Sequence, residues 1–227
     1  PLADKLPEGV LDGPVVMAPA SSDRQLDRKN LRRASAMLDE AGWPVGDDGM
    51  RRNAAGETLQ VEILNDSQAF DRVINPYIEN LRALGVDAVH TRIDNAQMTE
   101  RERSFNFDMV VGNFRTALTP GSELEQYFGS ESAEFSIFNL AGYGSEAVDS
   151  LIKSVTAAED RTTLDDATRA LDRVLRAEVF WVPQWFKNTH TVAYYDMYRY
   201  PENLPPYALG TLDFWWFDQL AHDKLKA

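Results

Sequence analysis

The sequence predicts an α/β fold with a mixed or parallel sheet and crossover helices. Short apolar runs of strand length alternate with stretches in which apolar residues recur at helical spacing. The third of these runs, Phe107–Val111, stops at Gly112, which is typical of a buried strand that opens into a loop. We expect this strand to be central in the sheet, with its loop on the ligand-binding side.

The elements are predicted from local pattern. Residues 1–22 are rich in proline and glycine without periodicity, which indicates an extended connector. Gly42 and Gly85 follow helical stripes and suit helix ends. The predicted elements are the helix 31–41, a hairpin over 47–56, the strand 58–64, the helix 70–84, the strand 86–93, the helix 95–104, and later helices over 148–155 and 164–175.

Composition excludes several kinds of function. The net charge of −13 repels phosphate backbones, so we expect no nucleic-acid partner. Without cysteine there is no thiol catalysis and no disulfide. The three histidines, His90, His190 and His222, form no metal-binding motif, and the glycine motifs of dinucleotide and P-loop sites are missing. We therefore expect neither a metal nor a cofactor.

Aromatic residues are unevenly distributed along the chain. Of 24 in total, three lie in the first hundred residues and thirteen lie between Phe180 and Phe217. This segment predicts another lobe or a packing surface. The tryptophans Trp181, Trp185, Trp215 and Trp216 are interpreted as packing residues in preference to ligand contacts.

The loop after Gly112 is the first candidate site, with Asn113, Phe114, Arg115 and Thr116 where an α/β sheet holds ligands. Nearby acids leave acid–base catalysis open as an alternative. Asp108, Glu123 and Glu125 are its candidates, but Asp108 also suits a strand start, and the two glutamates suit a first helical turn.

Several motifs carry a resemblance to a known family. They are Leu38–Trp43, Leu59–Leu64, Asn80–Val86, Phe107–Asp108, Gly142–Tyr143 and Ala147–Ile152. In this order they resemble the second half of family 5 extracytoplasmic solute-binding proteins, the peptide-binding components of ABC importers. Further motifs resemble the YejA-type branch: Leu118–Gly121, Arg169–Leu175, Val182–Pro183 and Trp215–Trp216.

The resemblance implies a type II periplasmic-binding-protein-like fold (cluster C) and no enzymatic activity. It implies a connector over residues 1–22, a C-terminal ligand-binding lobe over 23–190, and a tail over 191–227 that returns to an N-terminal lobe absent from this chain. The expected partners are a peptide, including muropeptides or peptide antibiotics, the transmembrane permease of an ABC transporter, and that N-terminal lobe. A monomeric periplasmic protein, exported with a cleaved signal peptide, is expected.

The resemblance also implies ligand contacts. The expected residues are Asn65, Asn113, Phe114, Arg115, Thr116, Glu123, Asn139 and Tyr143. Many relatives carry an acid in the loop after the Phe-Asp strand that pairs with the ligand's amino terminus, but this loop has none. Either Glu123 or the absent lobe would supply the acid, or the ligand offers no free amine there. Arg115 adds a cation suited to a ligand carboxylate or to a rim salt bridge. The alternative functions are an acidic-residue hydrolase of peptides or glycans, and a ligand-sensing lobe of a regulator.

Overall fold

A computed structural model describes residues 3–22, 24, 26–115, 119–187, 189–205 and 208–226. The chain divides into two compact units, residues 1–182 (unit 1) and residues 183–227 (unit 2). Within the described residues, no helix combines the length and the apolar character needed to cross a bilayer.

Unit 1 contains a three-stranded parallel sheet with the strand order β2-β1-β3. Its strands are β1 (Gln60–Asn65), β2 (Asp87–Arg92) and β3 (Met109–Val110). Ile63 of β1 lies opposite His90 on one side and Met109 on the other. All three strands therefore direct their carboxyl ends to the same edge.

The prediction that the 107–111 run forms a buried central strand is wrong. β1 occupies the central position, and β3 lies at an edge of the sheet with half-buried side chains. The strand is also short, with two residues. Before it, the Asp108 carboxylate accepts a hydrogen bond from the Glu62 N–H (2.8 Å), so a side chain replaces the backbone ladder at that point.

The helices follow the predicted order. They are α1 (Arg28–Glu40), α2 (Asp71–Ala83), α3 (Asn95–Arg103), α4 (Glu123–Phe128), α5 (Glu146–Thr156) and α6 (Arg161–Glu178). Gly42 and Gly85 both have φ near +86°, a conformation that favours glycine and lets the chain leave α1 and α2 as predicted. Isolated antiparallel bridges, Val45 with Arg51 and Arg52 with Thr58, form the hairpin region.

Two buried clusters hold unit 1 together. One packs α2 against the sheet through Ile63, Ile74, Ile78, Val86 and Ala88. The other joins α4, α5 and α6 through Val10, Leu124, Phe128, Val148, Ile152, Val155, Leu171 and Val174. Because Val10 belongs to this second cluster, the first part of the expected extended connector is packed. Arg173 of α6 donates hydrogen bonds to the carbonyls of Val10 and Gly13.

Arg51 is a fully buried cation that links the end of α1 to the end of α2. Its guanidinium donates to the Asp39 carboxylate (2.7 Å), to the Ser35 hydroxyl (2.6 Å) and to the Leu84 carbonyl (2.6 Å). A buried charge is tolerated only when its donors are matched in this way. Arg51 therefore fixes the hairpin against both helices.

Unit 2 has little regular structure. Its elements are β4 (Tyr198–Arg199), antiparallel to β5 (Trp216–Phe217), and the helix α7 (Gln219–Lys226). These two short strands are the only ones among the described residues of unit 2. Ala221 is the one buried residue in the described part of unit 2, whereas Phe186 is 85% exposed.

Candidate functional site

The loop after β3 lies at the carboxyl edge of the parallel sheet. Val110, the last residue of β3, pairs with Leu64, so the loop starts beside Asn65 at the end of β1. The side chains of Asn113 and Arg115 are exposed, and that of Phe114 is half-buried. Thr116 lies outside the described residues. The loop thus occupies the position at which open α/β sheets bind ligands.

Phe114 lies in the middle of a group of seven contacting rings, which we call the Phe114 cluster. Its members are Phe114, Tyr127, Phe128, Phe138, Tyr143, Phe180 and Trp181. The Phe114 ring centroid lies 4.5 Å from that of Trp181 and 5.5 Å from that of Tyr127, both in edge-on geometry. Such pairs hold a ring in one orientation and add about 0.5–1.5 kcal/mol beyond burial.

Arg115 presents a cation at the rim of this cluster. The Tyr127 hydroxyl donates a hydrogen bond to the Arg115 carbonyl (3.1 Å) and so fixes the backbone of the loop. Among the described residues, no carboxylate pairs with the exposed Arg115 guanidinium. Its planar donor fork is therefore available to a carboxylate from outside.

Glu123 opens α4 one turn before Tyr127. Its Oε2 atom accepts a hydrogen bond from the Gly121 N–H (3.1 Å), while its buried Oε1 atom has no partner within the described part of the chain. Glu123 and Glu125 lie in the first turn of α4. This is the position expected if the two acids stabilise the start of a helix. Asp108 accepts a hydrogen bond from the Glu62 N–H at the edge of the sheet.

Asn139 and Tyr143 shape the loop behind the cluster. Asn139 is 1% exposed; its amide donates to the Tyr143 carbonyl (2.7 Å) and to the Ser132 hydroxyl (3.1 Å), and its oxygen accepts from the Tyr143 N–H. The Tyr143 ring stacks on Phe180 with a centroid distance of 4.7 Å. Burial raises the pKa of Tyr143 to about 12. Both side chains hold the loop in place in this structure.

Asn65 is also engaged locally. Its side-chain oxygen accepts from the Ser67 N–H (3.0 Å), and its amide donates to the Ser67 carbonyl (2.7 Å), which closes a turn at the end of β1. With 1% exposure, Asn65 shapes the same sheet edge from which the Phe114 loop leaves.

Sequence reasoning missed the contribution of Tyr127 and Phe138, and it treated Trp181 as a packing residue only. Phe138 is 52% exposed and contacts Tyr127 edge-on, so it extends the apolar surface beside the loop. The position of Tyr127 one turn after Glu123 was the available signal, because residues four apart share a helix face. Across the described ranges, no group of three or more His, Asp or Glu side chains is arranged to hold a metal ion.

The model of the middle part of bacterial extracellular solute-binding proteins, family 5, matches residues 7–135. The chain is 38% identical over 199 residues to the probable peptide-binding protein YejA of Agrobacterium fabrum, a match that covers 87% of this chain and 32% of that protein. It is 28% identical over 215 residues to the peptidoglycan-binding protein YepA of the same organism, a match that covers 94% of this chain and 34% of that protein. The chain thus belongs to family 5 of the bacterial extracellular solute-binding proteins, in its YejA-type branch.

The solved structures agree with the expected type II periplasmic-binding-protein fold. The oligopeptide-binding protein AppA of Bacillus subtilis, in complex with a nonapeptide, superposes with a TM-score of 0.64 at 16% identity. The match covers 83% of this chain and 37% of that chain. At this identity the likeness bears on the fold alone.

The chain spans about a third of the length of the relatives it matches. The two relatives and the solved structure described above are binding proteins, not enzymes.

Proposed function

We propose that this chain is the C-terminal ligand-binding lobe of a periplasmic protein that captures peptides, or peptide-bearing cell-wall fragments, for an ABC importer. The observation that carries the proposal is the Phe114 loop. It places an oriented aromatic ring and an unpaired exposed cation together at the carboxyl edge of the sheet. The names of YejA and YepA, relatives that bind peptide and peptidoglycan, support this ligand class.

The proposed ligand is held mainly through its backbone and its terminal charges. Arg115 would receive a ligand carboxylate in a bidentate pair, and Phe114 would pack on a side chain or a sugar ring. Asn113 and Thr116 would donate and accept hydrogen bonds beside them. The carboxylate of Glu123, or an acid of the absent lobe, would meet a ligand ammonium. Asn65, Asn139 and Tyr143 would support the site from behind.

The second lobe would come from the part of the protein outside this chain. Two lobes that close on a ligand bury it between them, and the ligand drives closure only through its higher affinity for the closed form. To change the closed fraction from 1% to 99%, the ligand must bind the closed form about 5.5 kcal/mol more tightly than the open form. Residues 1–22 would connect the lobes, residues 23–190 would form this lobe, and residues 191–227 would return to the other. The closed monomer would then deliver its ligand to the permease.

Calorimetry with the full-length protein tests the site. The probes are trialanine and an N-acetylmuramyl tripeptide, and the variant carries Phe114→Ala and Arg115→Ala. We expect wild-type protein to bind at least one probe and the variant to bind it at least about tenfold more weakly, because a ring contact and a charged pair are both lost.

The control carries Met37→Ala and Arg103→Ala, which remove an exposed apolar side chain and an exposed arginine elsewhere in unit 1. It should bind as wild type does. Equal affinity of the site variant and the control would refute the assignment of the site. Release of hydrolysed probe during the titration would instead favour the hydrolase alternative.

A further inference from the structure

Three large apolar side chains are exposed in the loop between α4 and α5. Phe135, Ile137 and Phe138 lie within four residues of one another and are 68%, 40% and 52% exposed. Single exposed apolar residues need no explanation, whereas a group of neighbouring ones marks a surface that binds something. This loop is therefore a candidate contact surface in addition to the loop after β3.

Buried polar groups hold the backbone of this loop in place. The Asn139 amide donates to the Ser132 hydroxyl, and that hydroxyl donates to the Gly129 carbonyl (2.8 Å). The Phe138 N–H donates to the Ser136 hydroxyl (3.2 Å), and the Asn139 N–H donates to the Ser136 carbonyl (3.0 Å). A ring on a fixed backbone loses little conformational entropy when it is covered, so Phe138 is pre-organised for a contact.

Phe138 is the member of this exposed group that belongs to the Phe114 cluster. Its ring contacts Tyr127 edge-on with a centroid distance of 6.1 Å, and the Tyr127 ring lies 5.5 Å from that of Phe114. The Phe138 ring is therefore within about 12 Å of the Phe114 ring, the span of roughly three or four residues of an extended peptide. Because the Tyr127 hydroxyl bonds to the Arg115 carbonyl, direct contacts connect Phe138 to the loop after β3.

The surroundings of Phe138 favour a single side chain over a broad protein contact. Glu131 and Glu134 of the same loop are exposed, and so is Arg115. A second lobe or subunit lying across the loop would remove these charges from water, which costs free energy unless each charge is paired. One peptide side chain can cover the Phe138 ring and leave both glutamates hydrated.

We propose that the exposed side of Phe138 is a subsite for a large apolar or aromatic side chain of the peptide ligand. The inference rests on the proposed function, because it names the kind of peptide that the same site would select. With the ligand carboxylate at Arg115, an extended backbone that passes Phe114 and Tyr127 brings a side chain to Phe138. A phenyl ring there would pack against Phe138 as the rings of the cluster pack against one another.

Calorimetry with the full-length protein and four tripeptides tests the subsite. The probes are trialanine and the three peptides in which one alanine of trialanine is replaced by phenylalanine. We expect wild type to bind at least one phenylalanine peptide at least about tenfold more tightly than trialanine, because the added ring leaves water for an aromatic surface. This preference should fall below about threefold in Phe138→Ala and should persist in Phe138→Trp, where a larger ring replaces the first.

Phe135→Ala is the matched control. It removes the same side chain from a more exposed position of the same loop, outside the Phe114 cluster, and should keep the wild-type preference. The preference is a ratio of two affinities measured on one variant. Partial loss of folded protein changes the apparent stoichiometry for both peptides and cancels from this ratio.

A preference that is unchanged in Phe138→Ala, or that is lost in Phe135→Ala, would overturn the inference. Equal affinities of wild type for trialanine and all three phenylalanine peptides would also overturn it, as would binding of an N-acetylmuramyl tripeptide alone. Both of these results leave the proposed function standing. If wild type binds none of these probes, the proposed function fails and the inference fails with it.

Discussion

Units 1 and 2 differ in how they place their apolar side chains. Unit 1 buries aliphatic residues in two clusters, and its helices and strands follow the periodicity of the sequence. Unit 2 is rich in aromatic residues, yet most of its described aromatic rings are exposed, including Trp185, Phe186 and Tyr195. A segment with so much apolar surface and one buried alanine lacks a core of its own. That its exposed aromatic rings pack against another part of the protein stays a prediction.

Hydrogen exchange gives the largest expected contrast between the units. In the 227-residue chain, amides of β1 and α5 should exchange at least about a thousandfold more slowly than those of residues 183–217, because only unit 1 has buried structure that must open. Mass-spectrometric exchange measures both regions in one sample. In the full-length protein we expect residues 183–217 to gain protection. Equal protection of the two units in the short chain would contradict the comparison.

A substitution in each unit should separate their contributions to stability. Ile152 is 1% exposed in the helical cluster, so Ile152→Ala should lower the free energy of unfolding by about 2–5 kcal/mol. Phe186→Ala removes a larger side chain that is 85% exposed and should change the free energy by less than about 0.5 kcal/mol. Urea unfolding of the 227-residue chain measures both values. A large loss for Phe186→Ala would show that unit 2 has a core of its own.

One tyrosine in each unit has a raised pKa, and the causes of the two shifts differ. Burial raises the pKa of Tyr143 in unit 1 to about 12, whereas the pKa of Tyr194 in unit 2 is raised first by its hydrogen bond with Tyr200. A raised folded-state pKa favours the folded state below the unfolded value near 10, and this contribution is lost as the pH rises from about 10 to 12.

Tyr143→Phe should therefore lose less stability than wild type between about pH 10 and pH 12, with a small difference because the ring is only half-buried. Urea midpoints across this range provide the measurement, and Tyr195→Phe, at an exposed ring, is the control. Parallel pH profiles for Tyr143→Phe and wild type would contradict burial as the cause.

Much of the fold was predictable because it depends on local pattern. The helical stripes gave α1, α2, α5 and α6 to within a few residues, a short polar run gave α3, and strand-like runs gave β1 and β2. The order of strands was not predictable in the same way. Phe107–Val111 looks more apolar than Gln60–Asn65, yet β1 is central, because position in a sheet depends on which edges find partners.

The candidate site was predictable only in part. Because open α/β sheets bind ligands beyond the carboxyl ends of their strands, the sequence located Phe114 and Arg115 at that edge of the sheet. The contacts of Phe114 with Tyr127 and Trp181 connect residues that are distant in sequence, and no periodicity reports them. Asn139 was expected at the ligand, and its sequence neighbourhood does not show that its amide already bonds to Tyr143 and Ser132.

The sequence by itself determined the alternation of helices and strands, the turns at Gly42 and Gly85, and the family to which the chain belongs. These features depend on backbone preferences and on side chains a few residues apart, which any stretch of sequence displays directly. Tertiary structure alone decided the central position of β1, the ring contacts around Phe114 and the exposure of unit 2. Those features depend on contacts between distant segments, whose free energies exist only once the chain has brought the segments together.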